Sequence, residues 1–284
     1  MTSQSQSWND RASAWGKWCN EIEKSANIVS EHLIQLAQIE YGDKVLDIAT
    51  GEPAITAARY TGVSGSILAL DISAQMLKIA KQRAVKLGFQ NIIKFKDCAI
   101  IESADLPYKY FNAALSRWGL MFIRRIDKAL RNIRKSLVPG GRFAAVVWGK
   151  PSHVPLLPVL TLAFEPVMKH INISQHQEAC CTITKGPFSL CDANVLRRYF
   201  DEAGFREIKV ETAEVIFEIA SVLDYVNITK DLSAPIRMML RNEPIETQEV
   251  IWHAVADAAH KYLADNKTGY LRLPNEVIYI VGQA

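Results

Sequence analysis

The chain has 284 residues, 49% apolar and 22% charged, with 33 basic against 30 acidic side chains and a formal net charge of +3. That length supports one large α/β domain with an inserted cap, or two smaller domains, and either buries an ample core. The balanced charge speaks against a nucleic-acid surface, and no apolar run approaches the roughly 20 residues that a membrane span needs.

Five cysteines, Cys19, Cys98, Cys180, Cys181 and Cys191, are odd in number and lack a paired-ligand spacing. Free thiols in a reducing cytosol account for them, and a soluble cytoplasmic protein is expected. Residues 1 to about 9 are polar and expected to be mobile. From Asp10 the pattern turns helical: Ile22, Ala26, Val29, Leu33 and Leu36 mark one face of a long amphipathic helix that also carries Trp15 and Trp18.

Val45, Leu46 and Ile48 read as a buried parallel strand, and Thr50-Gly51-Glu52-Pro53 as the turn that ends it. Pro53 suits the first position of the following helix, where its missing N–H removes nothing. Ser66 to Asp71 is a second buried strand ending in an acid. Ser73 caps a helix that stops at Gly88. Asn91 to Lys96 forms a third strand leading to Asp97-Cys98, and Phe111 to Ser116 a fourth. Arg125 to Leu137 is its crossover helix, and Pro139-Gly140-Gly141 turns into a fifth strand, Arg142 to Trp148. Strand and helix alternating in this way predict a parallel sheet with helices on both faces.

After Lys150 the rhythm breaks. Pro151, Pro155 and Pro158 introduce an insertion, Asp192 caps a helix that ends at Gly204, Arg206 to Ile219 alternates as a strand, and Glu276 to Val281 is a last strand. About 55 residues of helical pattern between those two strands, including Val222 to Val226 and Val250 to Leu263, read as a cap. The expected organisation is an N-terminal helical lid at 1–40, an α/β core at 41–150, a cap insertion at 151–190, and the end of the sheet at 191–284 with a second cap at about 220–272.

Val45-Leu-Asp-Ile-Ala-Thr-Gly51, Ala69-Leu-Asp-Ile-Ser73, Phe95-Lys-Asp97 and Leu137-Val-Pro-Gly-Gly-Arg142 resemble the successive motifs of class I S-adenosylmethionine-dependent methyltransferases, in the small-molecule branch that includes the ubiquinone and menaquinone enzymes. The resemblance implies a Rossmann-like, doubly wound, seven-stranded and mostly parallel sheet with an antiparallel last strand. It implies S-adenosylmethionine as cofactor and S-adenosylhomocysteine as product. Asp47, Ala49, Thr50 and Gly51 would then pass the methionine moiety, with Ser116 nearby at the same edge. Asp71 would bind the ribose, Ile72 would also contact the cofactor, Met76 would flank the adenine, and Asp97 with the Cys98 amide would meet it. Family members usually carry glycine where this chain has Ala49 and Pro53, so one glycine of three remains.

Methyl transfer from a sulfonium requires placement above all and demands no metal. The acceptor side is correspondingly less marked. His153 is a candidate base and Arg117 a candidate partner for an acidic acceptor group. Trp15, Trp118, Trp148, His176 and Tyr225 are candidates for lining the acceptor, with Trp118 placed to stack on it. A small, partly apolar acceptor is favoured over a nucleic acid, and a homodimer is compatible with the sequence. The rival reading is a cyclase, or another non-methylating enzyme that keeps S-adenosylmethionine as a structural or electrostatic cofactor. That reading is kept open by Ala49 and Pro53.

Overall fold

A computed structural model describes residues 3–49, 51–98, 101–157, 186–233, 236, 240–264 and 269–284. Helix α1 (Ser3–Ala37) leads to β1 (Lys44–Ile48), α2 (Glu52–Thr61), β2 (Ser66–Asp71), α3 (Ala74–Lys86), β3 (Ile93–Asp97) and β4 (Phe111–Arg117). Then follow α4 (Ile126–Ser136), β5 (Leu137–Trp148), α5 (Ala193–Glu202), β6 (Arg206–Ile219), α6 (Val222–Leu232), α7 (Ile245–His260) and β7 (Leu271–Gln283).

The seven strands form one sheet in the order β3-β2-β1-β4-β5-β7-β6. The first five are parallel, and β7 runs antiparallel between β5 and β6. The parallel strands are buried as apolar runs: Val45, Leu46, Ala114, Leu115 and Val146 are sealed from solvent. The fold is therefore the Rossmann-like sheet expected from the sequence. α1 packs against α2 and α3 on one face, while α4 and α5 pack together on the other. Strand order reverses between β1 and β4, and in open α/β sheets ligands bind at the carboxyl edge of that reversal.

Local chemistry explains the helix ends. Pro53 sits in the first turn of α2. The Ser73 hydroxyl accepts the Met76 N–H at 3.1 Å to start α3, and Asp192 caps α5 through the N–H groups of Asn194 and Val195. Gly88, with φ of 81°, ends the turn after α3.

Three elements differ from the sequence reading. Helix α1 begins at Ser3 rather than near Asp10, because its first turns have partners: the Ser5 hydroxyl donates to the Ile72 carbonyl at 3.0 Å, and Trp8 meets Phe122 edge-on. The Pro139-Gly140-Gly141 turn lies within β5, marked by a register shift against β4 and φ of 84° at Gly140. β7 starts five residues before Glu276, since Leu271 and Leu273 pair with Ile219 and Phe217.

α1 is held by its apolar stripe. Ala26, Val29 and Leu33 are fully buried, and each such Val or Leu side chain contributes roughly 1.5–3 kcal/mol. That burial fixes a 35-residue helix across one face of the sheet and over the carboxyl edge of β1.

Candidate functional site

Three acids mark one edge of the sheet. Asp47 is buried on β1 and stands level with Ala69 of β2 and Leu115 of β4; Asp71 ends β2 and stands level with Asp97 at the end of β3. The Asp71 carboxylate accepts the Ser73 N–H at 2.7 Å. Burial pushes its pKa up to about 7; the Ser73 and Ile72 N–H groups oppose the shift, and the Asp47 and Asp97 charges reinforce it. A buried carboxylate at this poise is stabilised by any donor brought to it.

The turn after β1 sits beside them. Ala49 adopts φ of 60°, the left-handed region where glycine is at ease, which is the local reason a glycine pattern suits this position. Gly51 has open space where a side chain would project. Glu52, in the first turn of α2, is gripped by Arg83 of α3, whose guanidinium also reaches Asn20 of α1 at 2.8 Å. Burial, with repulsion from Glu23, raises the Glu52 pKa against the pull of Arg83 and Arg117.

α1 lies over this turn. Trp15, Cys19 and Glu23 from α1 face Gly51, Glu52 and Met76, closing the cleft to a cavity of about 20 Å³, room for water and not for a nucleoside. A larger cavity of about 320 Å³ opens beside Asp97 and Cys98, with Leu70, Lys96 and Leu106 in its wall. The donor set fits S-adenosylmethionine: Asp71 offers a carboxylate for hydroxyls, Met76 an apolar flank and Gly51 a bare backbone, provided that α1 lifts. The Cys98 amide is already committed, donating to the Asp71 carbonyl at 2.8 Å, so it does not have the free N–H expected for adenine. The carbonyl of Ile72 is likewise engaged, by Ser5.

The acceptor side is built differently. Ser116 lies one residue before the end of β4, its hydroxyl buried and without a hydrogen-bond partner among the described residues. Arg117, expected to face an acidic acceptor, is sealed inside the protein. Its guanidinium pairs with Glu23 at both carboxylate oxygens, one at 2.8 Å, and donates to the Ala26 carbonyl at 3.2 Å and the Ser30 hydroxyl at 3.1 Å. Burial works to lower its pKa, but Glu23, Glu52 and Asp47 together raise it, so the group stays charged as an anchor for α1.

Trp118 stacks on Trp148 with ring centroids 4.5 Å apart and 12° between planes, and Phe217 of β6 leans on both. Trp118 holds φ of 54°, an outlying conformation for a bulky residue. The following Gly119 is packed so closely that a Cβ there would lie 2.3 Å from the Ala49 Cβ and 3.0 Å from the Ser116 hydroxyl.

The remaining candidates are dispersed. His153, expected above the sulfonium, is instead an exposed residue whose Nδ1 lies 2.9 Å from Glu276, because the 3-10 turn after β5 folds toward β7. Burial works to raise the Glu276 pKa, but the Lys150 N–H and His153 bring it below the ordinary value. Tyr225 is fully buried and donates to the Pro155 carbonyl at 2.6 Å, tying α6 to the segment after β5, with burial raising its pKa well above the usual range. Trp18 bonds Asp231 of α6 at 2.7 Å. Thr50, His176, Cys180 and Cys181 lie outside the described residues.

Sequence reading missed Glu23, Arg83, Phe217 and Gly119. The signal for the first was available: Glu23, Ala26 and Ser30 follow helical spacing, a small and polar notch beside an otherwise apolar stripe. Among the described residues no group of His, Cys, Asp and Glu could hold a metal, and no helix is long and apolar enough to cross a membrane.

The chain is 34% identical over 125 residues to the ubiquinone/menaquinone biosynthesis C-methyltransferase UbiE of Azotobacter vinelandii, covering 43% of this chain and 49% of that protein. Against the same-named enzyme of Pseudomonas fluorescens it is 28% identical over 180 residues, 62% of this chain and 70% of the relative. The chain thus spans between about half and 70% of the lengths of these relatives. Its fold resembles that of Haemonchus contortus phosphoethanolamine N-methyltransferase 2 in complex with S-adenosyl-L-methionine, with a TM-score of 0.58 and 17% identity over all of this chain and 60% of that one. It also resembles that of the cyclase SpnF, with a TM-score of 0.55 and 19% identity over 91% of this chain and 82% of that one. The family model for ubiE/COQ5 methyltransferases matches residues 24–221, running from α1 through β6, and the chain belongs to that family.

Proposed function

We propose that the chain transfers a methyl group from S-adenosylmethionine to a small, planar, partly apolar acceptor of quinone type, at carbon. The observation that carries this reading is the convergence of Asp47, Asp71 and Asp97 on the carboxyl edge where strand order reverses. The C-methyltransferase names of the relatives supply the acceptor class.

When bound, the cofactor supplies an electrophilic methyl group for in-line displacement, and the protein's task is to hold the two reactants near contact. In this reading Asp71 accepts hydrogen bonds from the ribose hydroxyls, Asp97 borders the adenine, and Gly51 lets backbone approach the methionine portion. α1 is the lid: Arg117 and Arg83 hold it down, and its closure excludes water. Helices α6 and α7 form the cap above the acceptor. The acceptor alone is the expected partner, with no nucleic acid, and the expected location is cytoplasmic.

The test is incubation of the full chain with S-adenosylmethionine and alkylated benzo- and naphthohydroquinones, with S-adenosylhomocysteine and methylated product quantified together. Equal release of both is expected. Conversion of a substrate without S-adenosylhomocysteine would overturn methyl transfer in favour of a cyclase.

A further inference from the structure

We propose that the Trp118 indole N–H is the donor that positions an oxygen of the acceptor, so that the enzyme selects planar hydroxylated rings by the edge of Trp118 and not by its face. This rests on the methyltransferase reading above and deepens it.

The faces of the ring are engaged. Trp148 stacks on it at 4.5 Å, and the Arg117 guanidinium lies over it with its carbon 5.2 Å from the centroid. Arg117 is in turn locked by Glu23, Ala26 and Ser30, and Phe217 leans on the pair of indoles. Stacking of an acceptor on Trp118, the role expected from sequence, would require this assembly to come apart.

The edge is different. Nε1 is buried and has no hydrogen-bond partner among the described residues. Buried donors are paired almost without exception, and an orphan is a feature to be explained. The ring cannot turn to find a partner, because Trp148 and Phe217 hold it and because Gly119 is pinned against Ala49. The backbone stays in an outlying conformation, φ of 54°, to keep the indole there. The position is one residue past β4, beside the strand reversal, and the Ser116 hydroxyl two residues earlier is buried and equally unpartnered.

The chemistry of the orphan defines its ligand. An indole N–H donates and never accepts, so its partner must be an acceptor oxygen, such as a carbonyl, phenol or phenolate. Shielded from water, that hydrogen bond competes with no solvent. The acceptor reaches it when the elements above the sheet open, as lids do. A donor on a ring oxygen also favours the phenolate character that makes an adjacent ring carbon nucleophilic, which suits methylation at carbon.

The experiment is calorimetric titration of the full chain with 1-naphthol and with naphthalene, in the presence and absence of S-adenosylhomocysteine. The wild-type protein is expected to bind 1-naphthol about tenfold or more tightly than naphthalene, the scale of satisfying a buried donor. Trp118→Phe, which keeps a ring but loses the N–H, is expected to bring that ratio below about threefold. If Trp118→Phe does not fold, a tryptophan analogue with sulfur in place of N–H at position 118 replaces it. A wild-type ratio near one, or a ratio unchanged by loss of the N–H, overturns the proposal. Binding of S-adenosylhomocysteine in the same titrations tests the cofactor reading separately, so the two failures are distinguishable.

Discussion

The two halves of the carboxyl edge are held by different forces. At β1, β2 and β3 the acids sit at or next to the strand ends, Asp71 in register with Asp97 and Asp47 level with Ala69, placed by the strands that carry them. Beyond β4 and β5 the side chains hold one another: Arg117 with Glu23, Trp118 with Trp148 and Phe217, Tyr225 with the Pro155 carbonyl. The first half is written within short stretches of chain, whereas the second is assembled from α1, β4, β5, β6 and α6. A half specified locally tolerates change elsewhere, while a half specified by long-range contacts shifts whenever one of five elements does.

The largest way to break that contrast is Arg117→Ala. It strands the Glu23 carboxylate and loosens α1, and removal of one partner of a buried pair is expected to cost about 3–5 kcal/mol in a denaturant titration. A loss below about 1 kcal/mol would make the pair a surface-like contact and dissolve the distinction.

Next is Asp71→Asn. Loss of the carboxylate is expected to weaken S-adenosylhomocysteine binding by roughly 1 kcal/mol or more. The wild type should also show a pH signature. The buried acid has a pKa of about 7, and hydroxyl donors favour its ionised form, so affinity rises as pH is raised to about 7 and levels off above it. Folding stability runs the other way. The group's folded pKa lies above its unfolded value of 3.8, so stability is greatest at low pH and falls as pH rises through about 7. Both trends should vanish in Asp71→Asn, and their persistence would place the titration elsewhere.

The smallest expected effect is at His153. A catalytic base is worth about 10²–10⁴ in rate, whereas an exposed pair with Glu276 is worth no more than about 1 kcal/mol of stability. His153→Ala should therefore leave turnover within about threefold of wild type. A hundredfold loss would return this residue to the chemistry, and with it the acceptor half to local specification.

The same contrast explains what could be read from the sequence. The parallel strands and the placing of Asp47, Asp71 and Asp97 at or near their carboxyl edge follow from apolar runs and the turns between them, so they were legible, whereas the antiparallel last strand came from the resemblance to the methyltransferase family. Arg117 illustrates the opposite case. Its place after β4 suggested a ligand, but its partner Glu23 lies 94 residues away in sequence, and nothing local announces a salt bridge across that distance. The extent of α1 was hidden for the same reason: Ser5, Trp8 and Asn9 look like a polar tail until Ile72, Phe122 and Ser73 are brought to them. Trp118 could be read from the sequence as a ring placed to stack, but its pairing with Trp148 and Phe217 could not, because only packing shows which side of a ring is taken.

Ala49 and Gly119 belong to different motifs, yet they divide a single volume. The methyl at 49 occupies the space that a side chain at 119 would need, and Ser116 with the Ile48 carbonyl closes the other sides. The methyl after β1 and the bare backbone after β4 therefore depend on one another, and a larger side chain in either turn takes room from the other.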